Sequence, residues 1–379
     1  MSPDPRPPPR SVQRNWRVDM KVGEKYIVDK KQFLDLLISL KSDYDIIGPK
    51  KMADGEVTFD EISSTDEITF DYVNEYEPLK RFLTPTREEL FQFSGQTNNF
   101  NLTPPKDINP FILFGVRSCD VQGFAHQDGF FSGAYVDNYY WARRNKMVVI
   151  SMACNVPLDT CFCICCNGGP WLDSGFDLQL TDFGDRFLVD VGTQKGIDIL
   201  SKITTNKATA KDEDLRQQLM QACDEKMVPV AYLAKAIIQI SNNRVKEELW
   251  EQFGAECFSC GGCTHVCPLC TCYDVQDTMT DEKNGVRFRF WDSCQYCGFT
   301  HEASGHNPRG KTKERVKRRF YHKLSYAYIN QDGHPGCVGC GRCITVCEAF
   351  GLLDMAAVVK RIRRDGYMEK QTDNAQAQS

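Results

Sequence analysis

The sequence predicts two folded units in tandem, an α/β unit followed by an α+β unit organised around cysteines. Between Phe111 and Cys154 two short apolar runs, FILFGV and MVVISMAC, flank a helical stretch carrying Phe124 and Phe130, the pattern of a βαβ unit whose strands are buried on both faces. Further along, Cys257, Cys260, Cys263 and Cys267 are matched at the same spacing by Cys337, Cys340, Cys343 and Cys347. Helical periodicity sets in near Met227, where the boundary between the units is expected.

With 379 residues, 41% of them hydrophobic, the chain is long enough to build two or three cored domains. A formal charge of -5 is too small to recruit nucleic acid or an anionic membrane through an overall field. No apolar run approaches a membrane span, and the N-terminal stretch lacks the apolar core of a signal peptide, so a cytoplasmic location without membrane or nucleic-acid partners is expected. Residues 1–20 read as a proline-rich disordered leader, 21–227 as the α/β domain with an extra metal site, 228–355 as the cysteine domain, and 356–379 as a C-terminal tail. Segment 273–336, inserted between the cysteine runs, is expected to wrap the second domain.

Asp29 and Gln32 form a helix-capping pattern, and Phe33, Leu36, Leu37 and Leu40 recur at helical spacing behind it. EVTFDEI and ITFDYV alternate and read as strands. RSCD reads as a turn, which sets Cys119 and Cys154 just past the carboxyl ends of two strands, where open α/β sheets hold ligands. Val230, Leu233, Ala234, Ile237 and Ile238 define one helix; Val245, Leu249 and Phe253 define another that delivers the chain to Cys257. RGKTKERVKRR packs seven cations between Arg309 and Arg319, and a helix from about Lys311 aligns Val316, Phe320 and Leu324 on one face. Its cations are then left to water, to an acidic partner, or to balancing negative charge nearby.

Nineteen cysteines in a reducing compartment point to metal rather than disulfides, and to an anaerobic cell. Each run follows the C-x2-C-x2-C-x3-C pattern of bacterial ferredoxins, and Pro268 completes the first. Three close cysteines cap three corners of an iron-sulfur cube, and the fourth ligand comes from the other run. One 4Fe-4S cluster is therefore assigned Cys257, Cys260, Cys263 and Cys347; the other takes Cys267, Cys337, Cys340 and Cys343. The second domain is accordingly expected to be ferredoxin-like. Gly261, Gly262, Gly339 and Gly341 suit loops that need positive φ and close N–H approach to sulfur. Zinc would instead favour cysteine pairs about 15–20 residues apart.

Outside these runs, Cys270, Cys272, Cys294 and Cys297 have a spacing open to zinc or to another cluster. Cys154, Cys161, Cys163, Cys165 and Cys166, with Cys119, are numerous enough for a further cluster in the first domain, although buried cysteine also serves as a small hydrophobe. His265, His301 and His306 are read as structural. The absence of nucleotide-binding and Ser-His-Asp patterns leaves no catalytic residue to assign.

The strings FGVRSCD, CNVPLDTCFC, GFDLQLTDFGDRFLVDVGTQKG, CTHVCPLCTCYD, WDSCQYCGFTHEASGHNPR and GCVGCGRC resemble the iron-sulfur beta subunits of cytoplasmic nickel-iron hydrogenases (sulfhydrogenases) and the A subunit of anaerobic sulfite reductase, from about Phe111 to Cys347. The resemblance implies a hetero-oligomeric complex in which this subunit passes electrons between a flavoprotein reductase subunit and a catalytic redox subunit, with ferredoxin as another partner and any flavin bound elsewhere. It places Cys119, Cys154, Cys161, Cys163, Cys270, Cys272 and Cys294 on motif positions, implying one or two additional iron-sulfur clusters. Cys165, Cys166 and Cys297 look like additions of this sequence, and Cys223 has no assigned role. Glu348 stands where a proline would follow the last cysteine, and is expected to lower the potential of the second cluster. Two other readings are an iron-sulfur enzyme with its own substrate site at a first-domain cluster and, more remotely, a zinc-dependent nucleic-acid module.

Overall fold

The computed structural model describes residues 20–96, 99–227, 231–349 and 352–365. The expected leader lies almost wholly outside them, as do Val230 and the polar end of the tail. Strands follow in chain order as β1 (Lys25–Asp29), β2 (Asp45–Lys51), β3 (Val57–Glu61), β4 (Arg87–Gln96), β5 (Asn99–Thr103), β6 (Phe111–Arg117), β7 (Met147–Met152), β8 (Leu178–Asp182), β9 (Arg186–Val191), β10 (Asn206–Lys207), β11 (Tyr273–Met279) and β12 (Asn284–Trp291). The helices are α1 (Lys30–Ser39), α2 (Ser118–Phe131), α3 (Asn138–Lys146), α4 (Gln194–Leu200), α5 (Ala210–Glu225), α6 (Leu233–Ser241), α7 (Glu247–Glu256), α8 (Gly262–His265), α9 (Thr312–Leu324), α10 (Tyr326–Asp332), α11 (Arg342–Thr345) and α12 (Met355–Asp365).

Eight strands form one mixed sheet in the order β10-β1-β9-β8-β7-β6-β2-β3. Its centre, β2, β6, β7 and β8, is parallel, and antiparallel strands flank it. Alternation divides β6 and β7 between two cores: Ile112, Phe114, Val148 and Ile150 face α1, whereas Phe111, Leu113, Met147 and Val149 face α2 and α3. Helices on both faces of a largely parallel sheet are the α/β layering expected. The Asp29 carboxylate accepts from the Gln32 N–H at 2.8 Å and starts α1, whose Phe33, Leu36 and Leu37 are buried.

Three local expectations give way to tertiary packing. EVTFDEI forms β3, but ITFDYV does not form a strand; its residues bridge Lys50 at Ile68 and then use their rings across the sheet end, Phe70 against Phe114 and Phe187. RSCD is no isolated turn, because Ser118 opens α2 directly after β6. On α6 the buried positions are Leu233, Ala236, Gln239 and Ile240, while Ile238 is exposed, so the face is rotated from the one expected.

The inserted segment begins with the hairpin β11–β12, which pairs with β4 in a second, antiparallel sheet of order β11-β12-β4-β5. Arg289 of β12 is buried and forms ion pairs with Glu88 and Asp137, fastening the hairpin to the first part of the chain. A separate helical core unites α6, α7, α9 and α12 around Trp250, Phe253 and Phe320. The tail thus starts in the core: Val358, Val359 and Ile362 of α12 are fully buried. Among the described residues no strand lies within either cysteine run; single-turn helices α8 and α11 do, and they rest against each other.

Candidate metal centres

The two cysteine runs fold alike because their left-handed positions recur. Gly261 and Gly341 both have φ 77° and cap α8 and α11. A Cβ on Gly261 would meet the Tyr296 ring at 2.6 Å, and one on Gly341 would meet Thr160 Oγ1 at 2.5 Å. Ser259 (φ 56°) and Gly339 (φ 66°) turn their N–H groups back onto Cys257 Sγ at 3.4 Å and Cys337 Sγ at 3.5 Å. A non-glycine residue at positive φ is strained by roughly 1–2 kcal/mol, and at Ser259 the Arg315 guanidinium donates to the hydroxyl at 3.0 Å. Gly262, expected to share this conformation, does not have positive φ.

Among the cavities that open around the thiols, three stand out. The first is lined by Cys257, Cys260, Cys263 and Cys347. The second is lined by Cys267, Cys337, Cys340 and Cys343, and shares Cys263. These groupings take the fourth thiol of each cavity from the opposite run. Glu348 lines the first cavity, not the second, which corrects the position inferred for its carboxylate. Cys270, Cys272 and Cys294 line the third, with His126 and His322. Cys297 is not in that lining; it is exposed, with its thiol 3.8 Å from the Gly310 carbonyl.

Helix α9 supplies the walls between these cavities. Val316, Phe320 and Leu324 are buried as its spacing predicts, but the cations are not simply left to solvent. Arg315, Arg319 and Lys323, at successive i+4 positions, form a second buried stripe. Lys313 and Lys317 keep to the outer side and pair with Glu247. Arg319 lines all three cavities, and its Nε has no hydrogen-bond partner among the described residues. Lys323 Nζ lies 3.3 Å from Cys267 Sγ and donates to the Gly336 carbonyl at 2.8 Å. Lys80 Nζ donates to the Cys270 carbonyl at 2.5 Å and sits over the Trp291 ring.

Thiols and cations tune one another. Burial opposes the Lys323 charge, but Cys267 and Cys270 outweigh it and hold its pKa well above the usual value. A hydrogen bond from Cys270 holds Cys267 well below the usual thiol range against burial, with Lys323 and Lys80 assisting. A bond from Cys272 brings Cys294 down to about 6. Burial pushes Cys263 and Cys340 up to about 12, so holding these sulfurs as thiolates calls for cationic ligation of the kind iron supplies. An all-sulfur donor set, N–H groups aimed at sulfur and a buried guanidinium whose Nε has no partner among the described residues together fit an anionic cluster held by thiolates. Among the described residues no three His, Cys, Asp or Glu side chains converge on a single metal ion.

Cys119 begins the second residue of α2, and Cys154 follows β7. The structure gives them different company: Cys119 packs with Cys267, Leu269 and Val338, while Cys154 packs with Cys163, Cys223 and Met227. The Cys161 thiol approaches the Cys340 carbonyl at 3.8 Å. Cys166 donates to Cys337, and its own pKa rises well above the usual value from that bond and from burial. His265 bonds through Nδ1 to the Gly261 carbonyl, while His301 and His306 are exposed.

The second run is clamped onto the first part of the chain. Phe162 N–H donates to the Gly339 carbonyl at 2.8 Å, Asn74 to the Cys340 carbonyl at 2.9 Å, and Arg342 pairs with buried Asp120 at 2.6 Å. Sequence reading raised charge balance for the cation run ending at Arg319 but did not reach Lys323 or Arg342, whose partners are remote in sequence. The one local signal is the i+4 spacing of Arg315, Arg319 and Lys323 beside a cysteine-rich neighbour.

Twin cysteine loops and cysteine-lined cavities define an iron-sulfur protein with a 4Fe-4S dicluster domain, and the family pattern for that domain matches residues 256–350. The chain is 32% identical over 294 residues to subunit beta of sulfhydrogenase 2 from Pyrococcus furiosus, an alignment spanning 77% of this chain and 85% of that protein. No solved structure matches the chain. The chain belongs to the sulfhydrogenase beta-subunit family. No helix among the described residues is long and apolar enough to cross a membrane.

Proposed function

We propose that the protein is the electron-relay subunit of a cytoplasmic, multisubunit anaerobic oxidoreductase complex. It carries single electrons between a flavin/NAD(P)H or ferredoxin oxidoreductase subunit and a catalytic subunit of hydrogenase, sulfite reductase or heterodisulfide-reductase type. The observation that carries this reading is the adjacency of the first two cavities, which share Cys263 and Arg319 in their linings. A 4Fe-4S cluster, when bound, takes up and gives back one electron at a time.

In this reading Cys257, Cys260, Cys263 and Cys347 hold one cluster, and Cys267, Cys337, Cys340 and Cys343 hold the other, in a ferredoxin-like domain spanning 228–355. Arg319 and Lys323 offset negative charge, while Phe320, Val346 and Leu353 keep water from the first cavity. Cys270, Cys272 and Cys294 hold an additional cluster, and the thiols of the α/β domain, among them Cys119, Cys154, Cys161 and Cys163, contribute to another. The protein's part is conduction, with turnover of substrate left to its partners.

Iron, acid-labile sulfide and zinc per chain, measured on anaerobically purified protein, test this. About eight iron corresponds to two clusters, about twelve or sixteen to one or two more. Zinc in place of iron would overturn the relay.

A further inference from the structure

Helix α5 is a 16-residue polar helix whose one fully buried side chain is a cysteine. That residue, Cys223, has no solvent exposure and packs with Cys163 and Met227, against which Cys154 also rests. Met227 Sδ lies 3.7 Å from Cys163 Sγ. Cys154 after β7, Cys163 on the turn that follows and Cys223 near the end of α5 thus bring three separate segments into one sulfur-rich cluster.

A second observation concerns charge. Arg117, at the end of β6, is buried and donates only to the backbone carbonyls of Val73, Ala153 and Tyr72. Among the described residues no carboxylate pairs with it. A buried cation without a paired anion costs several kcal/mol; Arg117 stacks on the Tyr72 ring, and Tyr72, Cys154, Cys119 and Asp182 are the groups whose charge it feels. Thiolates made permanent by ligation would add a nearer countercharge to that of Asp182.

We infer that Cys223 joins Cys154, Cys161 and Cys163 as the fourth ligand of an iron-sulfur cluster in the first domain, leaving Cys119 outside the ligand set. This rests on the reading that the α/β domain holds an additional cluster, and it names the ligands. Cys119 instead has Asp120 beside its thiol and packs against the second cavity. The cluster would adjoin the Cys337–Cys343 loop, since Cys163 lies beneath Gly339 and Cys161 beside the Cys340 carbonyl. That extends the relay from the dicluster domain into the α/β sheet.

The test compares wild-type chain with Cys223→Ala, Cys223→Ser and Cys119→Ala, all purified anaerobically at full length. Iron, sulfide and low-temperature EPR are the readouts, and the dicluster signals serve as the folding control. The expected result is a wild type with at least about twelve iron, a loss of about four in Cys223→Ala, and no loss in Cys119→Ala. Should the alanine variant fail to fold, Cys223→Ser decides: an oxygen ligand leaves the cluster signal present with altered g values, and unaltered values overturn the inference. A wild type with about eight iron would overturn the additional cluster itself. Full iron in Cys223→Ala, with loss in Cys119→Ala, would overturn the ligand assignment alone.

Discussion

Replacing Lys323 with methionine should lower the midpoint potential of the cluster assigned to Cys267, Cys337, Cys340 and Cys343. Methionine keeps much of the stem's volume and removes the charge. The ammonium lies 3.3 Å from Cys267 Sγ in a buried setting, and at an effective dielectric of about 20 two unit charges at that distance interact by roughly 5 kcal/mol. An added electron is shared over a cube, so about a quarter of it is felt at the Cys267 corner, roughly 1.3 kcal/mol. For one electron that is a fall of about 50 mV, with about 200 mV as the ceiling were all the charge at that corner. An EPR-monitored redox titration under anaerobic conditions measures it, and iron content checks that the cluster is retained. A midpoint unchanged to within about 10 mV at full iron would refute both the charge on Lys323 and the place of Cys267 in that ligand set.

Cys166→Ala removes the thiol that donates to Cys337; a fraction of the roughly 1.5–3 kcal/mol of such a bond should lower the same potential by about 20–40 mV, read by voltammetry. Asp120→Ala strands the buried Arg342 guanidinium and should cost about 3–5 kcal/mol in denaturant unfolding, with the clamp on the Cys337–Cys343 loop loosened. Trp250→Ala empties the centre of the α7–α9 core and should cost about 3–5 kcal/mol, seen as a lower melting temperature. Anaerobic removal of iron should lower the melting temperature of the wild type as well, because ligand binding free energy is then lost from the folded state.

What was legible in the sequence was local. The Asp29 cap, the twin buried strands and the cysteine runs each express a rule acting over a few residues, and Val316, Phe320 and Leu324 showed the inward face of α9 by spacing alone. What escaped depends on contacts between distant segments. The hairpin β11–β12 reads as an insertion until β4, nearly two hundred residues earlier, appears beside it. ITFDYV alternates like a strand, yet its rings are spent on packing over the sheet end. Arg315, Arg319 and Lys323 carry the composition of a wetted surface, yet Arg315 is buried among the carbonyls of Gln295, Arg309 and Gly310, and Arg319 and Lys323 face thiols. Cys223 sits in a helix too polar to advertise an inner face.

The crossing of the two runs bears on how the protein is made. The first cavity includes Cys347 and the second includes Cys337, Cys340 and Cys343, so neither is complete until nearly the whole chain has left the ribosome. Through that interval Cys257, Cys260, Cys263 and Cys267 stand without the thiols that complete their cavities. On the proposed ligand sets, iron would be delivered after synthesis rather than during it, and a chain ending before Cys337 would carry three of the four thiols of the first site and one of the four of the second.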